Sequence, residues 1–316
     1  MPKGKGPFAR AITGAKKVQL DDIDPGQTDG LDKAGAHERL EELGAELAEL
    51  TNLLVYAGKQ ALLVIFQGRD ASGKDGAIRK ILEYGNVLGS SVHAFKAPTE
   101  EERGHDFLWR VHRVTPRRGR IALFNRSHYE DVVAVRVHEL MPKLVWKKRF
   151  RQINQFEETL LASDTIVLKF FLHVSRQEQY ERLIERERDP RTAWKLNVND
   201  WRELPLWDRT TAAYEDVLAK CSPAACPWYV VPADRKWFRN LAVVDRIVRT
   251  LRPYRKPWLQ SLEKLREAAL TEIEALRTSG AAFVRRTSPR KRGSQTLRGF
   301  ATIRPTRGGG RGGTSR

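Results

Sequence analysis

The sequence predicts an α/β protein in which helices cover both faces of a parallel sheet. Four apolar runs have the length and composition of buried strands. They lie at residues 61–66, 121–125, 165–174 and 228–234. Each is separated from the next by a stretch long enough for a helix, an alternation typical of β-α-β units. With 316 residues, 41% of them apolar, the chain can bury a core, which excludes an intrinsically disordered protein.

The chain before the first of these runs predicts an arm and a helix. Residues 1–35 predict an extended arm, because they are rich in Gly, Lys, Asp and Pro and show no sustained apolar period. From residue 36 to residue 59, leucines recur at spacings of three and four, which predicts an amphipathic helix with one face on the core. These leucines are Leu40, Leu43, Leu47, Leu50 and Leu54. We expect the main domain to span residues 36–278.

A glycine-rich segment, GRDASGK at residues 68–74, follows the run at 61–66 and precedes a helix-like stretch at 77–84. It matches the G-x-x-x-x-G-K spacing of a phosphate-binding loop. Its glycines let backbone N–H groups face a phosphate, and Lys74 can bridge phosphoryl oxygens. Asp75 stands where such loops usually have a magnesium-binding Ser or Thr, so Asp70 inside the loop is the candidate metal ligand.

The run at 121–125 ends in residues suited to phosphate chemistry. Arg126 is a fixed cation that suits bidentate contact with a phosphoryl group, and its alternative role is a surface salt bridge. Asn125 ends the run, and Glu130 and Asp131 supply carboxylates a few residues later. We interpret His128 as a structural histidine rather than as a phosphorylated nucleophile.

Residues 176–214 predict a projecting helical hairpin, which we interpret as a lid. The segment is mostly charged and is interrupted at Asp189-Pro190. Because catalysis of phosphoryl transfer consists largely of positioning and charge neutralisation, basic residues on a closing lid suit that reaction. Arg186 and Lys195 are candidates of this kind, and ion pairs within the segment are the alternative interpretation.

The net charge of +18 suggests an anionic substrate or partner. Residues 280–316 contain ten Lys or Arg and no Asp or Glu, so the rest of the chain carries only +8. We expect residues 279–316 to form a disordered, basic, Gly/Arg-rich tail. Two cysteines are too few for a disulfide framework, and no apolar run approaches the length of a membrane span. A soluble cytoplasmic protein that has no membrane partner is therefore expected.

Six runs, taken in order, resemble polyphosphate kinase family 2 over about residues 15–270. They are LDDIDPGQTDGLDK (20–33), QGRDASGKDG (67–76), FKAPTEEERGHDFLWRVHR (95–113), FNRSHYEDV (124–132), DPRTAWKLNVNDW (189–201) and CPWYVVPADRKWF (226–238). The resemblance implies a three-layer α/β/α phosphate-loop kinase fold, like that of thymidylate kinase, with a helical lid. It also implies Mg²⁺-dependent phosphoryl transfer between inorganic polyphosphate and adenine or guanine nucleotides, with Mn²⁺ as a substitute, in a homodimer or homotetramer.

The residue patterns and the resemblance together define the expected site. Asp70, Lys74, Arg126 and Arg186 are the expected catalytic residues, and Asp70 is also the expected metal ligand. The expected substrate-binding residues are Gly68, Arg69, Ala71, Ser72, Gly73, Asp75, Gly76, Lys80, Arg110, Arg113, Asn125, Glu130, Asp131 and Lys195. Asn125 and the Glu130-Asp131 pair resemble the subgroup that phosphorylates both AMP and ADP.

Three alternatives remain open at this point. The acceptor range could be narrower, with AMP or ADP alone as acceptor. The loop could belong to a kinase that uses ATP to phosphorylate a small metabolite. The protein could also be a nucleic-acid-binding ATPase, in which the tail at 280–316 supplies the cationic surface. The tail is the only segment for which we expect nucleic-acid binding.

Overall fold

The computed structural model describes residues 6–14 and 17–278, with the side chains of residues 192 and 193 excepted. The chain divides into two compact units, residues 1–267 and residues 268–316. Of the second unit, the structure describes residues 268–278, which are helical. The predicted tail at 279–316 lies outside the described residues.

The described part of the first unit is built on one six-stranded sheet. Its strands are β1 (Arg10–Ile12), β2 (Ala61–Gly68), β3 (Ser90–Ala94), β4 (Ile121–Asn125), β5 (Thr165–His173) and β6 (Trp228–Pro232). Their order across the sheet is β1-β6-β5-β2-β4-β3. All neighbours are parallel except β1, which pairs antiparallel with β6 in a register that places Arg10 opposite Val230. The predicted α/β fold is confirmed, and its sheet is mixed rather than wholly parallel.

The helices that connect the strands account for most of the remaining described chain. They are α1 (Lys33–Ala57), α2 (Lys74–Tyr84), α3 (Glu100–Arg103), α4 (Trp109–His112), α5 (Ala134–Val137), α6 (Lys143–Ala162), α7 (Arg176–Arg188), α8 (Val198–Arg202), α9 (Trp207–Lys220), α10 (Lys236–Leu251) and α11 (Arg255–Thr278). Short 3₁₀ turns lie at Leu20–Asp22, His128–Asp131, Pro190–Lys195, Leu204–Leu206 and Arg252–Tyr254. No helix among the described residues is long and apolar enough to span a bilayer.

Two apolar cores lie on opposite faces of the sheet. Every residue of the central strand β2 is buried, and alternate residues face opposite cores. Val64 packs with α1, α2 and α10 on one face, whereas Ile65 packs with α6 and α9 on the other. The fold therefore has three layers. In such a sheet, the loops that follow β2, β4, β5 and β6 meet at one edge, where ligands bind in parallel α/β proteins.

Local signals explain the boundaries of α1, which differ slightly from the predicted 36–59. Asp32 precedes the helix, and its side chain accepts a hydrogen bond from the Gly35 N–H at 2.7 Å. This cap starts the helix three residues earlier than predicted. The helix ends at Ala57 and is followed by Gly58, whose φ of 62° is the left-handed conformation that favours glycine at a helix C-terminus.

Candidate active site

The glycine-rich loop (residues 68–74) connects β2 to α2, as the sequence predicts. Gly68 and Gly73 have φ values of 148° and 97°, which non-glycine residues rarely adopt. Lys74 begins α2, and its Nζ donates to the carbonyls of Gly68 at 2.9 Å and Arg69 at 3.0 Å. The loop therefore encircles the ammonium group. Burial, followed by the nearby charge of Arg126, lowers the pKa of Lys74 to about 8.

Arg126 links the loop that follows β4 to the loop that follows β2. Its Nη2 lies 2.5 Å from Asp70 Oδ1 and its Nη1 lies 3.2 Å from Glu130 Oε2. Glu130 and then Asp70 raise the pKa of Arg126, against the effect of burial. Burial alone would raise the pKa of Asp70, but Lys74 and Arg126 outweigh it and the pKa is lowered. Three of the four predicted catalytic residues therefore form one ionised cluster.

Arg186, the fourth, reaches this cluster from the predicted lid. Its Nη1 donates to Asp200 Oδ2 at 2.8 Å, and its charge contributes to the lowered pKa of Asp70. Burial and the charge of Asp70 raise the pKa of Asp200, which Arg186 partly opposes. The helices α7 and α8 thus bring one arginine and one carboxyl to the glycine-rich loop.

A strongly cationic cavity of about 930 Å³ surrounds the loop. Nine cationic and five acidic side chains line it. The cations are Lys74, Arg79, Lys96, Arg126, Arg182, Arg186, Lys195, Lys236 and Arg239, and the acids are Asp70, Asp75, Glu185, Asp189 and Asp200. This excess of positive charge at the start of α2 suits a multiply charged anion. We call it the cationic cavity.

A second cavity of about 1,070 Å³ adjoins the first and has a different character. The two share Asp70, Lys96, Arg126, Asn197 and Asp200. Elsewhere the second is lined by apolar residues, which include Val133, Val137, Leu140, Met141 and Leu206. Its remaining charged lining consists of the acids Glu130, Asp131 and Glu203 and the arginines Arg69, Arg103, Arg110 and Arg202. We call it the mixed cavity. Two ligands, one bound in each cavity, would meet at Asp70 and Arg126.

Most of the predicted substrate-binding residues line one of these cavities. Ala71, Gly73, Asp75, Gly76, Asn125 and Lys195 line the cationic cavity, and Gly68, Arg69, Arg110, Glu130 and Asp131 line the mixed cavity. Arg110 and Asp131 are both buried and pair with each other at 3.2 Å. Burial raises the pKa of Asp131, and Arg110 opposes that shift. Both residues therefore also hold the loop that follows β4, residues 126–133, which we call the β4 loop.

The structure places three predicted residues elsewhere within the described chain. Lys80 pairs with Glu83 at 2.5 Å along α2, and Arg113 is exposed, 3.9 Å from Glu101. Neither lines one of the two cavities. The side chain of Ser72 is fully buried inside the loop, with its hydroxyl unpaired. For both Lys80 and Arg113, the ion-pair partner also lies outside the two cavities.

A buried charged cluster contacts the β4 loop through Tyr129 and His128. Lys169 Nζ lies 2.6 Å from Glu157 Oε2 and donates to the carbonyl of Cys221 at 2.8 Å. Tyr129 OH donates to Glu157 Oε1 at 2.7 Å, and His128 Nε2 lies 3.4 Å from the same oxygen. His128 is fully buried, consistent with the structural role predicted for it.

The predicted lid contains arginines with structural partners as well as Arg186. Arg182 is buried, and it bonds the carbonyls of Ala71 at 2.8 Å and Ala233 at 2.7 Å. In the loop, Arg69 stacks on the Trp207 ring at 3.6 Å and donates to the Trp207 carbonyl at 2.8 Å. These contacts join the glycine-rich loop to α7 and α9.

Several lining residues were not among the predicted site residues. They are Arg79, Lys96, Asp200, Lys236 and Arg239. The last two begin α10, directly after the carboxyl end of β6. Basic residues at that point of a parallel sheet are a signal that would have identified them.

The glycine-rich loop offers carboxylate oxygens but no preformed protein metal cage. Among residues 6–14 and 17–278, no three His, Cys, Asp or Glu side chains cluster closely enough to hold a metal ion. Asp70 and Asp75 nevertheless both line the cationic cavity. One or two carboxylates beside a phosphate site are the donor set that Mg²⁺ commonly uses, because its other ligands are waters and substrate oxygens.

Comparison with known proteins gives a consistent result. The chain is 44% identical to the AMP/ADP-polyphosphate phosphotransferase of Meiothermus ruber over 237 residues, which cover 74% of this chain and 89% of that protein. It is 43% identical to the ADP-polyphosphate phosphotransferase of Rhodopseudomonas palustris, over 68% of this chain and 78% of that protein. The crystal structure of polyphosphate kinase 2 from Arthrobacter aurescens TC1 is similar with a TM-score of 0.74 and 36% identity, over 77% of this chain and 90% of that one.

The family model described as polyphosphate kinase 2 (PPK2) matches residues 30–257. That range contains β2 to β6, both cavities and the four predicted catalytic residues. The resemblance inferred from the six runs is thereby confirmed, and the chain belongs to the polyphosphate kinase 2 family.

Proposed function

We propose that this protein transfers phosphoryl groups between inorganic polyphosphate and the nucleotides AMP and ADP. The observation that carries the proposal is the junction of two unlike cavities at Asp70 and Arg126. One is lined by nine cations and the other is partly apolar. A reaction between a chain of phosphates and a nucleotide needs both environments at one point. Membership of the polyphosphate kinase 2 family supports the same reaction.

The lining of each cavity indicates which substrate binds there. Polyphosphate carries negative charge on every unit, so it suits the cationic cavity around Lys74. A nucleotide has an apolar base, a polar sugar and an anionic phosphate. Val137, Leu140 and Met141 offer apolar surface to a base in the mixed cavity, while Arg126 at the junction suits the nucleotide phosphate.

The chemistry is a transfer in line between phosphate oxygens. A terminal oxygen of the nucleotide phosphate attacks the last phosphorus of the chain, and the bond from that phosphorus to the bridging oxygen breaks. The shortened chain leaves with the bonding electrons. The attacking oxygen is already anionic, so the main barrier is the approach of negative charges. Lys74, Arg126 and Arg186 neutralise those charges, and their attachment to β2, β4 and α7 fixes their positions.

We also propose Mg²⁺ as the cofactor, with Mn²⁺ as a substitute. Asp70 would hold the ion and Asp75 is a second available carboxylate. The lowered pKa of Asp70 keeps this ligand ionised at neutral pH. The bound ion would supply further neutralisation of phosphoryl charge.

The acceptor range is proposed to include both AMP and ADP. Asn125 lines the cationic cavity, where its Nδ2 donates to Asp75 Oδ1 at 2.6 Å, and Glu130 lines the mixed cavity beside Arg126. The related protein named for AMP and ADP and the one named for ADP alone are almost equally similar to this chain. The resemblance of Asn125 and the Glu130-Asp131 pair to the dual-acceptor subgroup favours the wider range.

A direct assay tests the reaction and its acceptors together. The purified protein, Mg²⁺ and long-chain polyphosphate are incubated with AMP or with ADP, without ATP, and the nucleotides are separated by chromatography. We expect ADP and then ATP from AMP, and ATP from ADP. Formation of ATP from ADP only would refute the dual range. Absence of product from folded protein would refute the reaction and favour a kinase that uses ATP as its donor.

The variant Lys74→Ala tests the glycine-rich loop in that assay. We expect kcat/KM to fall by roughly 100- to 1,000-fold, because a buried cation that stabilises the transition state is removed. The matched control is Lys59→Ala, since Lys59 is an exposed lysine on the turn before β2. Retained transfer by folded Lys74→Ala would contradict the role given to the loop.

The quaternary structure and cellular location are part of the same proposal. We propose a homodimer or homotetramer that acts in the cytoplasm, where the two buried free cysteines, Cys221 and Cys226, stay reduced. Any contact with nucleic acid is assigned to residues 280–316.

A further inference from the structure

Arg239 is a buried cation beside the glycine-rich loop. It lies on α10, lines the cationic cavity and is 4% exposed. Its guanidinium lies against the first turn of α2: a Cβ on Gly73 would be 1.8 Å from Nη1, and a Cβ on Gly76 would be 2.7 Å from Nη2. Gly73 and Gly76 therefore leave the space that this guanidinium occupies.

Arg239 has no carboxylate within ion-pair distance among the residues that the structure describes. Its Nε and Nη2 donate to Asn240 Oδ1, at 3.2 and 2.7 Å. Burial first, and then the charges of Arg182 and Arg79, lower the pKa of Arg239 to about 10, so the group remains a cation at neutral pH. A buried charge without a counter-ion opposes folding. Its presence indicates that an anion outside the chain completes the site.

The other buried cations support this interpretation. Five Lys or Arg residues are buried in the described chain: Lys74, Arg110, Lys169, Arg182 and Arg239. Arg110, Lys169 and Arg182 each form an ion pair of 3.2 Å or shorter with a carboxylate. Lys74 and Arg239 have no such pair within the described residues, and both line the cationic cavity. Arg239 thus shares with the lysine of the glycine-rich loop the lack of a carboxylate at ion-pair distance among these residues.

We propose that Arg239 binds a non-reacting phosphate of the polyphosphate chain, at a subsite beside the first turn of α2. The inference rests on the proposed function. The positive end of the helix and the guanidinium repel each other until an anion contacts them. Arg79 and Lys236 line the same cavity and extend its cationic surface. A polyphosphate has an anionic group on every unit, so one chain can contact Lys74 and Arg239 together.

The test compares Arg239→Gln with Arg246→Gln. Both substitutions remove one positive charge from α10, but Arg246 stacks on the Tyr229 ring at 4.5 Å and lines neither cavity. Three measurements are made on the full chain: the KM values for polyphosphate and for nucleotide, the equilibrium affinity for long-chain polyphosphate without nucleotide, and the Tm without and with polyphosphate.

We expect Arg239→Gln to raise the KM and the dissociation constant for polyphosphate by roughly 10- to 100-fold, with the nucleotide KM within about twofold of the control. Its Tm without ligand should equal or exceed that of the wild type, because an unpaired buried charge is removed. Polyphosphate should then raise its Tm less than it raises the wild-type Tm.

Several results would overturn the inference. One is a dissociation constant for polyphosphate within twofold of that of the Arg246→Gln control. Another is an equal rise in the KM values for nucleotide and for polyphosphate. The third is a large fall in the Tm of ligand-free Arg239→Gln, which would indicate a structural role. The proposed function fails separately. If the wild type binds polyphosphate through Arg239 but transfers no phosphoryl group from it, the subsite stands and the reaction is refuted.

Discussion

The buried ion pair between Glu157 and Lys169 permits a quantitative test of what supports the β4 loop. Glu157 is 1% exposed and Lys169 is fully buried. Although burial disfavours both charges, Lys169 lowers the pKa of Glu157 and Glu157 raises the pKa of Lys169, so both stay ionised. The single variants Glu157→Gln and Lys169→Met each leave one charge buried without its partner.

Removing one member of a buried pair destabilises a protein by about 3–5 kcal/mol. For a unit of residues 1–267, an unfolding entropy of about 2.1 cal/mol/K per residue converts this loss into a fall in Tm of roughly 5–9 °C. In the double variant neither charge remains, and the glutamine side chain that replaces Glu157 still offers an acceptor to the Tyr129 hydroxyl. We therefore expect the double variant to be more stable than either single variant.

Thermal unfolding of the three variants and the wild type provides the measurement. The control is Glu49→Gln, because Glu49 pairs with Arg255 at 2.7 Å on the surface, where such pairs contribute only about 0–1 kcal/mol. Two results would refute the reasoning. One is a single variant whose Tm matches that of the control, and the other is a double variant whose loss equals the sum of the single losses.

Two further predictions concern Lys74 and Gly44. Because the pKa of Lys74 is lowered to about 8 and the ammonium is charged only below its pKa, kcat/KM for polyphosphate should fall above about pH 8, and a pH–rate profile that stays level there would contradict this. A Cβ on Gly44 would lie 2.4 Å from the Tyr84 ring, so Gly44→Ala should lower the free energy of unfolding by about 1–3 kcal/mol in denaturant titration, despite the better helix propensity of alanine. If Gly44→Ala proves neutral, or if Tyr84→Ala does not relieve the loss, the clash is not its cause.

The elements with strong local patterns could be predicted from the sequence. The four apolar runs correspond to β2, β4, β5 and β6, and the leucine spacing corresponds to α1. The strands β1 and β3 could not be recognised. β1 has three residues and depends on pairing with residues more than 200 positions later. β3 is SSVHA, an edge strand whose partly exposed residues lack the apolar pattern of a buried strand.

The site residues that lie in loops after the strands could be predicted from the sequence. Asp70 and Lys74 belong to the loop after β2 and Arg126 to the loop after β4, so the sheet brings them together. Lys80 was less predictable, because its position on α2 allows a local pair with Glu83. Arg239 was missed although its position after β6 is a usable signal, and its contact with the first turn of α2 depends on the packing of α10 against that turn.

The pairing of β1 with β6 also affects the solubility of the protein when its N-terminal residues are removed. β6 is buried along its whole length, and β1 is the strand that covers its outer edge. Shortening the chain past Ile12 would expose the backbone N–H and C=O groups of an apolar strand, which is a template for pairing with another molecule. The solubility of the protein in concentrated solution therefore depends on three residues that line neither cavity.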